Sequence, residues 1–457
     1  MKKTKNKHYD VFVIGSGIAG QSAAEICREH NLSVAIADNR EFGGTCANRG
    51  CDSKRILLQF SKLVYQSKNL KEHGVTKLPK LNWRKVQKFK RSFSDPIPPN
   101  TEEKLKDLGI SMYHQSPKFI SKKEVEVEGK VVSADHFIIA TGNILRELAI
   151  EGKEFLKVSE DILNFKKIPK SITFIGSGYI AMEFACMLAT LGCKVTILER
   201  DDTSLAKFDD YLVRKLIVKL ESLGVKFVFN ADVTGVQKLK KNLKVSYTYD
   251  GKSITHKSRK VINAAGRVPA IDALELDKAG IEADKDGIVV NDHLQSISHP
   301  KVYACGDVSN KSPSLTPLSG LQGYIAGNNV VKEKSKTLDV PCIPSTVFTS
   351  PNLSSVGYGL EDAKARYKNV KVYQGDCSNW YNAKKENEDT YAYTILVNER
   401  TDEIVGAHIL SPEANESINV FAAAIYNKMT VKEFKRMVLT YPSFSMDFKK
   451  MMENKEK

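Results

Sequence analysis

Two cysteines, Cys46 and Cys51, stand with four residues between them in the stretch GGTCANRGCDSK, which runs from Gly43 to Lys54. Sulfurs at that spacing admit three chemistries: a structural disulfide, half of a metal site, or a reactive redox pair. A zinc site wants two more ligands at similar spacing. No other C-x₂₋₄-C occurs in the chain, and its nine histidines are dispersed, so no metal ligands are assigned. Of the other cysteines, Cys27, Cys186, Cys193 and Cys305 sit in apolar stretches, as inert packing thiols do, and Cys342 and Cys377 read as loop or edge residues. This is not the framework of a disulfide-rich secreted domain; it suits a reducing cytoplasm, where a genuine pair stands out. Asp52 follows the second sulfur directly, and a carboxylate there disfavours the thiolate.

Something must carry those sulfurs to a source of electrons. YDVFVIGSGIAGQSAAEICREHNLSVAIAD, Tyr9 to Asp38, reads as a buried parallel strand, a turn with Gly15, Gly17 and Gly20, a helix to about His30, a second strand and an acid. The first glycine permits the turn, the second lets backbone N–H groups approach a pyrophosphate, and the third lets helix and strand pack closely. Asp38 can accept from the hydroxyls of an adenosine ribose. SITFIGSGYIAMEFACMLATLGCKVTILER repeats the layout from Ser171, with Gly176, Gly178 and Ala181 in the turn and Glu199 after the second strand. Glycine and acid are 23 residues apart in both units (15 to 38, 176 to 199). One glycine turn of this kind is a weak signal; two with the same layout predict a chain that binds two dinucleotides. HFIIATGN, KVINAAGRVP and VYACGDVS each read as a strand ending in a small-residue turn, and an Asp at 307 could bond the polyol chain of a flavin.

The bulk composition sets the frame. The 457 residues predict about three domains, with 42% hydrophobic and 27% charged residues. The net charge of +15 comes from lysines spread along the chain with a modest excess at each end, and no nucleic-acid motif accompanies it. Attraction of anionic cofactors and substrates accounts for it more simply. The basic, then apolar N-terminus has the look of a signal peptide, but its glycines break the apolar run, and a strand with a tight turn reads better. The most apolar later stretch contains Glu183, so no transmembrane helix is expected.

Taken in order, GSGIAG, GGTCANRGCDSK, ATG, GSGYIAMEFA, AAGRVP, ACGDVS followed by LTPL, and GAHILSPEANESIN resemble the pyridine nucleotide–disulfide oxidoreductases, the FAD flavoproteins that include glutathione reductase, dihydrolipoamide dehydrogenase and mercuric reductase. The likeness runs from about Tyr9 to about Lys450. It implies an α/β protein with two Rossmann-like dinucleotide-binding domains, for FAD and NAD(P), and a C-terminal α+β dimerisation domain. The FAD domain would take residues 1–150 and 273–337, the NAD(P) domain 151–272 and the dimerisation domain 338–457. It also implies that Cys46–Cys51 is a redox-active disulfide at a helix start, with Cys51 facing the flavin and Cys46 attacking substrate. Thr45 and Lys54 would lie at the flavin, Lys54 paired with Glu183. Arg267, Asp307 and Thr316 would contact the flavin, Tyr179 would gate the nicotinamide pocket, and Thr141, Gly142, Ile180 and Gly266 would be further cofactor contacts.

The sequence departs from the family where disulfide-reducing members carry a His-Pro and a Glu near the C-terminus. The matching stretch is LTYPSFSMDFKKMM, with Tyr441 before Pro442, Met446 at the Glu position and Asp447 beside it. A histidine titrates near neutrality and a tyrosine near pH 10, so Tyr441 either donates a hydrogen bond to the chemistry or only packs at a dimer interface. Mercuric reductases also use tyrosine here, but they end in a cysteine pair, and no cysteine follows Cys377. Glu199 favours a free 2′-hydroxyl and so NADH, whereas Arg200 matches a phosphate-binding arginine; the balance leans to NADH over NADPH. The expectation is a cytoplasmic homodimeric FAD enzyme that reduces a low-molecular-weight disulfide through Cys46 and Cys51. The rivals are a metal-ion reductase, a diaphorase or transhydrogenase with peripheral cysteines, and a silent binding subunit of a dehydrogenase complex.

Overall fold

The run KHYDVFVI forms strand β1, Lys7–Ile14, whose last four residues are buried. An apolar strand that reads without alternation belongs between neighbours on both sides. β1 accordingly pairs in parallel with β2, Val34–Ala37, in the register Val11 to Val34 and Ile14 to Ala37, and on its other side with Lys130–Ile139. Ser111–Tyr113 extends the sheet beyond β2. At the far edge, Lys130–Ile139 pairs at its start with the antiparallel hairpin of Lys118–Ser121 and Glu124–Val127, and at its end with Val302–Ala304. Phe12, Ile36, Phe137 and Cys305 are fully buried around this sheet, and each such large apolar side chain contributes about 1.5–3 kcal/mol.

This is a computed structural model that describes residues 7–311, 313–340 and 342–453. The lysine-rich termini lie largely outside those residues. Two units are distinguished: residues 1–54, 88–147 and 266–339 form one, and residues 55–87, 148–265 and 340–457 the other.

Within the first unit, helix α1, Ile18–Glu29, follows the glycine turn, and the helix Thr316–Val331 packs along it. The contact is close because a side chain at Gly323 would meet the Ala19 carbonyl oxygen at 2.1 Å. That contact fixes where the second helix begins, and so where Thr316 sits. Helix α2, Gly44–Arg49, and helix α3, Cys51–Asn69, carry the two cysteines. The stretch SDPIPPNTEEK, which reads as a surface connection, is largely the helix Ile97–Asp107. Its prolines stand in the first turn, where no backbone N–H is needed and the fixed φ suits a helix.

In the second unit, Val225–Val228, Lys194–Leu198, Ser171–Ile175 and Lys260–Asn263 make a four-stranded parallel sheet in that order. Helix Tyr179–Thr190 follows its own glycine turn and is buried at every position from Ala181 to Thr190. A three-stranded antiparallel sheet spans Asp232–Ser258. The C-terminal part is a five-stranded antiparallel sheet, covered by the helix Ala414–Tyr426, which buries Ile418 and Phe421. Cys377 lies just after the edge strand Val370–Asp376, as expected of a loop or edge residue, and is fully buried. Cys27, Cys186, Cys193 and Cys305 are buried as expected. Among the described residues, no helix is long and apolar enough to cross a membrane.

Candidate functional site

The sulfurs are brought together by a glycine. Gly50 joins α2 to α3, and a side chain there would meet the Thr45 carbonyl oxygen at 2.8 Å and the Cys46 Cα at 3.1 Å. Only a residue without Cβ lets the start of α3 fold back onto α2. Cys46 is half-buried and Cys51 exposed. The Thr316 hydroxyl donates to the Cys46 sulfur at 3.0 Å and lies 4.0 Å from that of Cys51. Contact with Cys51 and then burial push the Cys46 thiol well above its ordinary value, and the Thr316 hydrogen bond works against that rise. A thiolate formed at one of two adjoining sulfurs makes the other harder to ionise.

The nucleotide turn is joined to this cluster through backbone. A side chain at Gly44 would meet the Cα of Gly17 at 2.5 Å, so α2 begins against the first glycine turn. Gly15 has φ of +110°, and a Cβ there would meet the Ala140 carbonyl oxygen at 2.3 Å. Asp38 accepts from the Ser16 N–H and hydroxyl at 2.8 and 2.7 Å on one oxygen, and from the Arg40 N–H at 3.0 Å on the other. Those bonds aim its remaining lone pairs. Beyond the sheet end, Arg267 donates to the carbonyl of Asn143. Burial pushes the Asp307 carboxyl up, with the Arg267 charge opposing. The Thr141 hydroxyl and Arg267 Nε are buried without a hydrogen-bond partner among the described residues. Buried polar atoms are rarely left unpaired. Together with a glycine turn open to a pyrophosphate, they fit FAD.

The second unit repeats the cradle. Ser177 gives its N–H and hydroxyl to one oxygen of Glu199 at 2.7 and 2.6 Å, and the Asp201 N–H gives to the other at 3.1 Å. Sequence reading passed over Ser16 and Ser177; their signal was a serine at the same place in both glycine turns. Gly178 caps the helix that starts at Tyr179, whose side chain is exposed, with Ile180 next to it. Arg200 is largely exposed and lies 3.5 Å from Asp201. Glu183, only 1% exposed, accepts from the Phe348 N–H at 3.0 Å. The Arg55 guanidinium lies 3.8 Å over the Phe348 ring, and the charge of Glu183 supports it against burial. Arg55 had no sequence signal beyond its position after Lys54, which is itself 8% exposed.

Near the C-terminus, Tyr441 is 74% exposed, and no described residue hydrogen-bonds its phenol. Asp447 is turned away into its own unit: Asn382 Nδ2 donates to it at 2.9 Å and the Tyr391 hydroxyl at 3.2 Å. Asn382 also donates to the Ser443 carbonyl at 2.8 Å and so ties both ends of the segment 443–447. His408, the last histidine, is buried in the C-terminal sheet beside the Tyr358 carbonyl, and burial pushes it down. Among the described residues, no cluster of potential metal ligands occurs.

Comparison with known proteins agrees with this layout. Residues 9–323 match the pyridine nucleotide-disulphide oxidoreductase pattern, and residues 343–452 match the dimerisation domain of the same description. A glutathione reductase of Burkholderia cepacia is 29% identical over 441 residues, 96% of this chain and 97% of its own. A mercuric reductase of Lysinibacillus sphaericus is 29% identical over 443 residues, 95% of this chain and 80% of its own. A dihydrolipoyl dehydrogenase of Haloferax volcanii is 27% identical over 457 residues, 97% of this chain and 96% of its own.

Proposed function

Since the chain belongs to the pyridine nucleotide-disulphide oxidoreductases, flavoprotein enzymes that use NAD(P)H, we propose that Cys46 and Cys51 are its redox pair and a low-molecular-weight disulfide its substrate. The observation that carries this reading is the cluster of both sulfurs around the Thr316 hydroxyl. FAD, when bound, supplies the route by which two electrons from the nicotinamide reach the sulfurs. The Cys46 sulfur attacks one sulfur of the substrate, the substrate S–S bond breaks, and the first thiol leaves with a proton. Cys51 then attacks the Cys46 sulfur, the Cys46–Cys51 bond forms, and the second thiol leaves. Two electrons and two protons pass from the dithiol to the substrate. Lys54 and Glu183, both buried, are proposed as the residues that match the family's lysine–glutamate couple.

NADH is the proposed donor. Glu199 is held by Ser177, and a carboxylate there repels a 2′-phosphate, while Arg200 is partly matched by Asp201. The match of residues 343–452 supports a homodimer, and cysteines that lack the spacing of a secreted disulfide framework support a reducing cytoplasm. The decisive assay is NADH oxidation with small disulfides and, separately, Hg(II), by wild type, Cys46→Ser and Cys51→Ser. Turnover of disulfides that survives Cys46→Ser rules the thiol mechanism out. One observation favours metal-ion reduction as the second reading: Tyr441 stands exposed where the disulfide reductases place a histidine. Turnover of Hg(II) but not of any disulfide would select it.

A further inference from the structure

The positive charge of this chain has one dense stretch. Residues 238–260 hold eight lysines and arginines against a single acid, Asp250, a net +7 of the chain's +15. Folding gathers it further. In the three-stranded sheet of the second unit, Lys244 on the central strand stands directly opposite Lys257 on the edge strand Lys252–Ser258. The turn before the central strand carries Lys240 and Lys241, both exposed, and Arg259 Nη1 donates to the Lys241 carbonyl at 2.6 Å. The Arg259 N–H donates to the Ser171 hydroxyl at 3.0 Å. Ser171 begins its strand beside Lys194, whose N–H donates to the Lys170 carbonyl at 3.1 Å. Lys170, Lys194, Lys241, Lys244, Lys257 and Arg259 thus meet at the N-terminal ends of the parallel strands. Among the described residues, none of the six forms an ion pair. Like charges set directly opposite across two strands are destabilising, and an anion from outside the chain would relieve them.

That anion is not the nucleotide. Gly176 and Glu199 follow the other ends of the same strands, so they lie about 16 Å from Ser171 and Lys194. That is about two Debye lengths at physiological salt, and the charge is largely screened there. Lysines on an edge strand also deter chance strand pairing, which accounts for Lys252 and Lys257 but not for Lys170, Lys194, Lys240 or Lys241. A lipid surface would want an apolar wedge, and the sheet exposes no large apolar side chain near the basic turn. A single-stranded nucleic acid would want aromatic platforms, and the sheet's exposed Tyr249 stands at the far end of its strand from that turn. The edge strand pairs on one side only among the described residues, which leaves backbone groups open to another extended chain. We propose that this basic edge docks an extended acidic segment of a partner protein. The segment lies along Lys252–Ser258 and sets its carboxylates among the lysines.

A fluorescein-labelled oligoglutamate peptide, titrated with the FAD-loaded enzyme and followed by anisotropy, tests the docking. Wild type should bind it at low salt. Lys244→Glu with Lys257→Glu should weaken binding about tenfold or more and leave steady-state NADH oxidation unchanged. Lys122→Glu with Lys123→Glu makes the same change of charge on exposed lysines of the first unit, and should cost no more than about twofold. Equal losses in the two double variants would trace the binding to net charge and overturn the proposal. So would an absence of binding at low salt. Tighter binding of duplex DNA or of phosphatidylserine vesicles, lost with the same change at Lys244 and Lys257, would assign the edge to another polyanion and overturn it as well. If reversal inside the sheet prevents folding, Lys240→Glu with Lys241→Glu in the exposed turn decides by the same criteria.

Discussion

Ser177 spends both its backbone N–H and its hydroxyl on a single oxygen of Glu199, at 2.7 and 2.6 Å. The carboxylate is thereby held in one orientation before any nucleotide arrives. A hydrogen bond to a charged group contributes about 1.5–3 kcal/mol. Ser177→Ala keeps the N–H bond and loses the other. We expect KM for NADH to rise about tenfold with kcat little changed, and discrimination against NADPH to weaken. Steady-state kinetics with both nucleotides check this; an unchanged KM would mean that Glu199 needs no such support.

Thr316→Val deletes the hydroxyl that donates to Cys46. That bond stabilises the thiolate and opposes the rise caused by Cys51 and burial, so its loss pushes the Cys46 thiol further up. Alkylation of Cys46 should slow about fivefold at neutral pH, the worth of about 1 kcal/mol. A rate that rises instead would show that the hydroxyl favours the protonated sulfur.

Asp447 titrates above the ordinary range because burial outweighs the hydrogen bonds from Asn382 and Tyr391. A carboxyl raised on folding binds its proton more tightly in the native state, so its ionisation costs stability as pH rises from the unfolded value through the folded one. Asp447→Asn removes that cost and offers an amide to Asn382 Oδ1, which is buried without a partner. The variant should melt at or above the wild-type temperature at neutral pH, with the difference shrinking under acid. Thermal melts at several pH values test it, and a lower melting temperature at neutral pH counts against it.

Lys219 lies in the second unit with its ammonium 3.2 Å from Glu388 and hydrogen-bonded to Asp389, and Tyr65 donates to Glu388 at 2.6 Å. Removing one partner of a buried pair leaves the other charge uncompensated, at about 3–5 kcal/mol. Lys219→Ala should lower the urea midpoint accordingly, whereas the double change Lys219→Met with Glu388→Leu should recover much of it. Equal loss in both would mean that packing, and not charge, holds this corner.

How far these features were legible in the chain differs by kind. Both nucleotide turns could be read because each strand, glycine and acid is a local signal with a fixed spacing. Cys46 and Cys51 stood out because no other cysteines are so spaced. The serine cradles were not read, although Ser16 and Ser177 repeat, because a hydrogen bond across 22 residues depends on how the second strand ends. The helix Ile97–Asp107 is hard to read within SDPIPPNTEEK because the rule that admits prolines in a first turn needs the helix start to be known. Asp447 lies next to the Glu position in sequence, but its side-chain direction, fixed by Asn382 and Tyr391, has no local sequence signal.

Where Gly44 rests on Gly17 there is room for hydrogen alone, and helix α2 cannot be moved without moving the turn beneath it. For protein engineers this sets a boundary on grafting. A foreign segment of different length between Phe42 and Lys54 would carry its cysteines off their seat and spoil the glycine turn together. Changes of substrate preference are better sought on surfaces that approach the sulfurs from outside this backbone joint, where side chains can be exchanged one at a time.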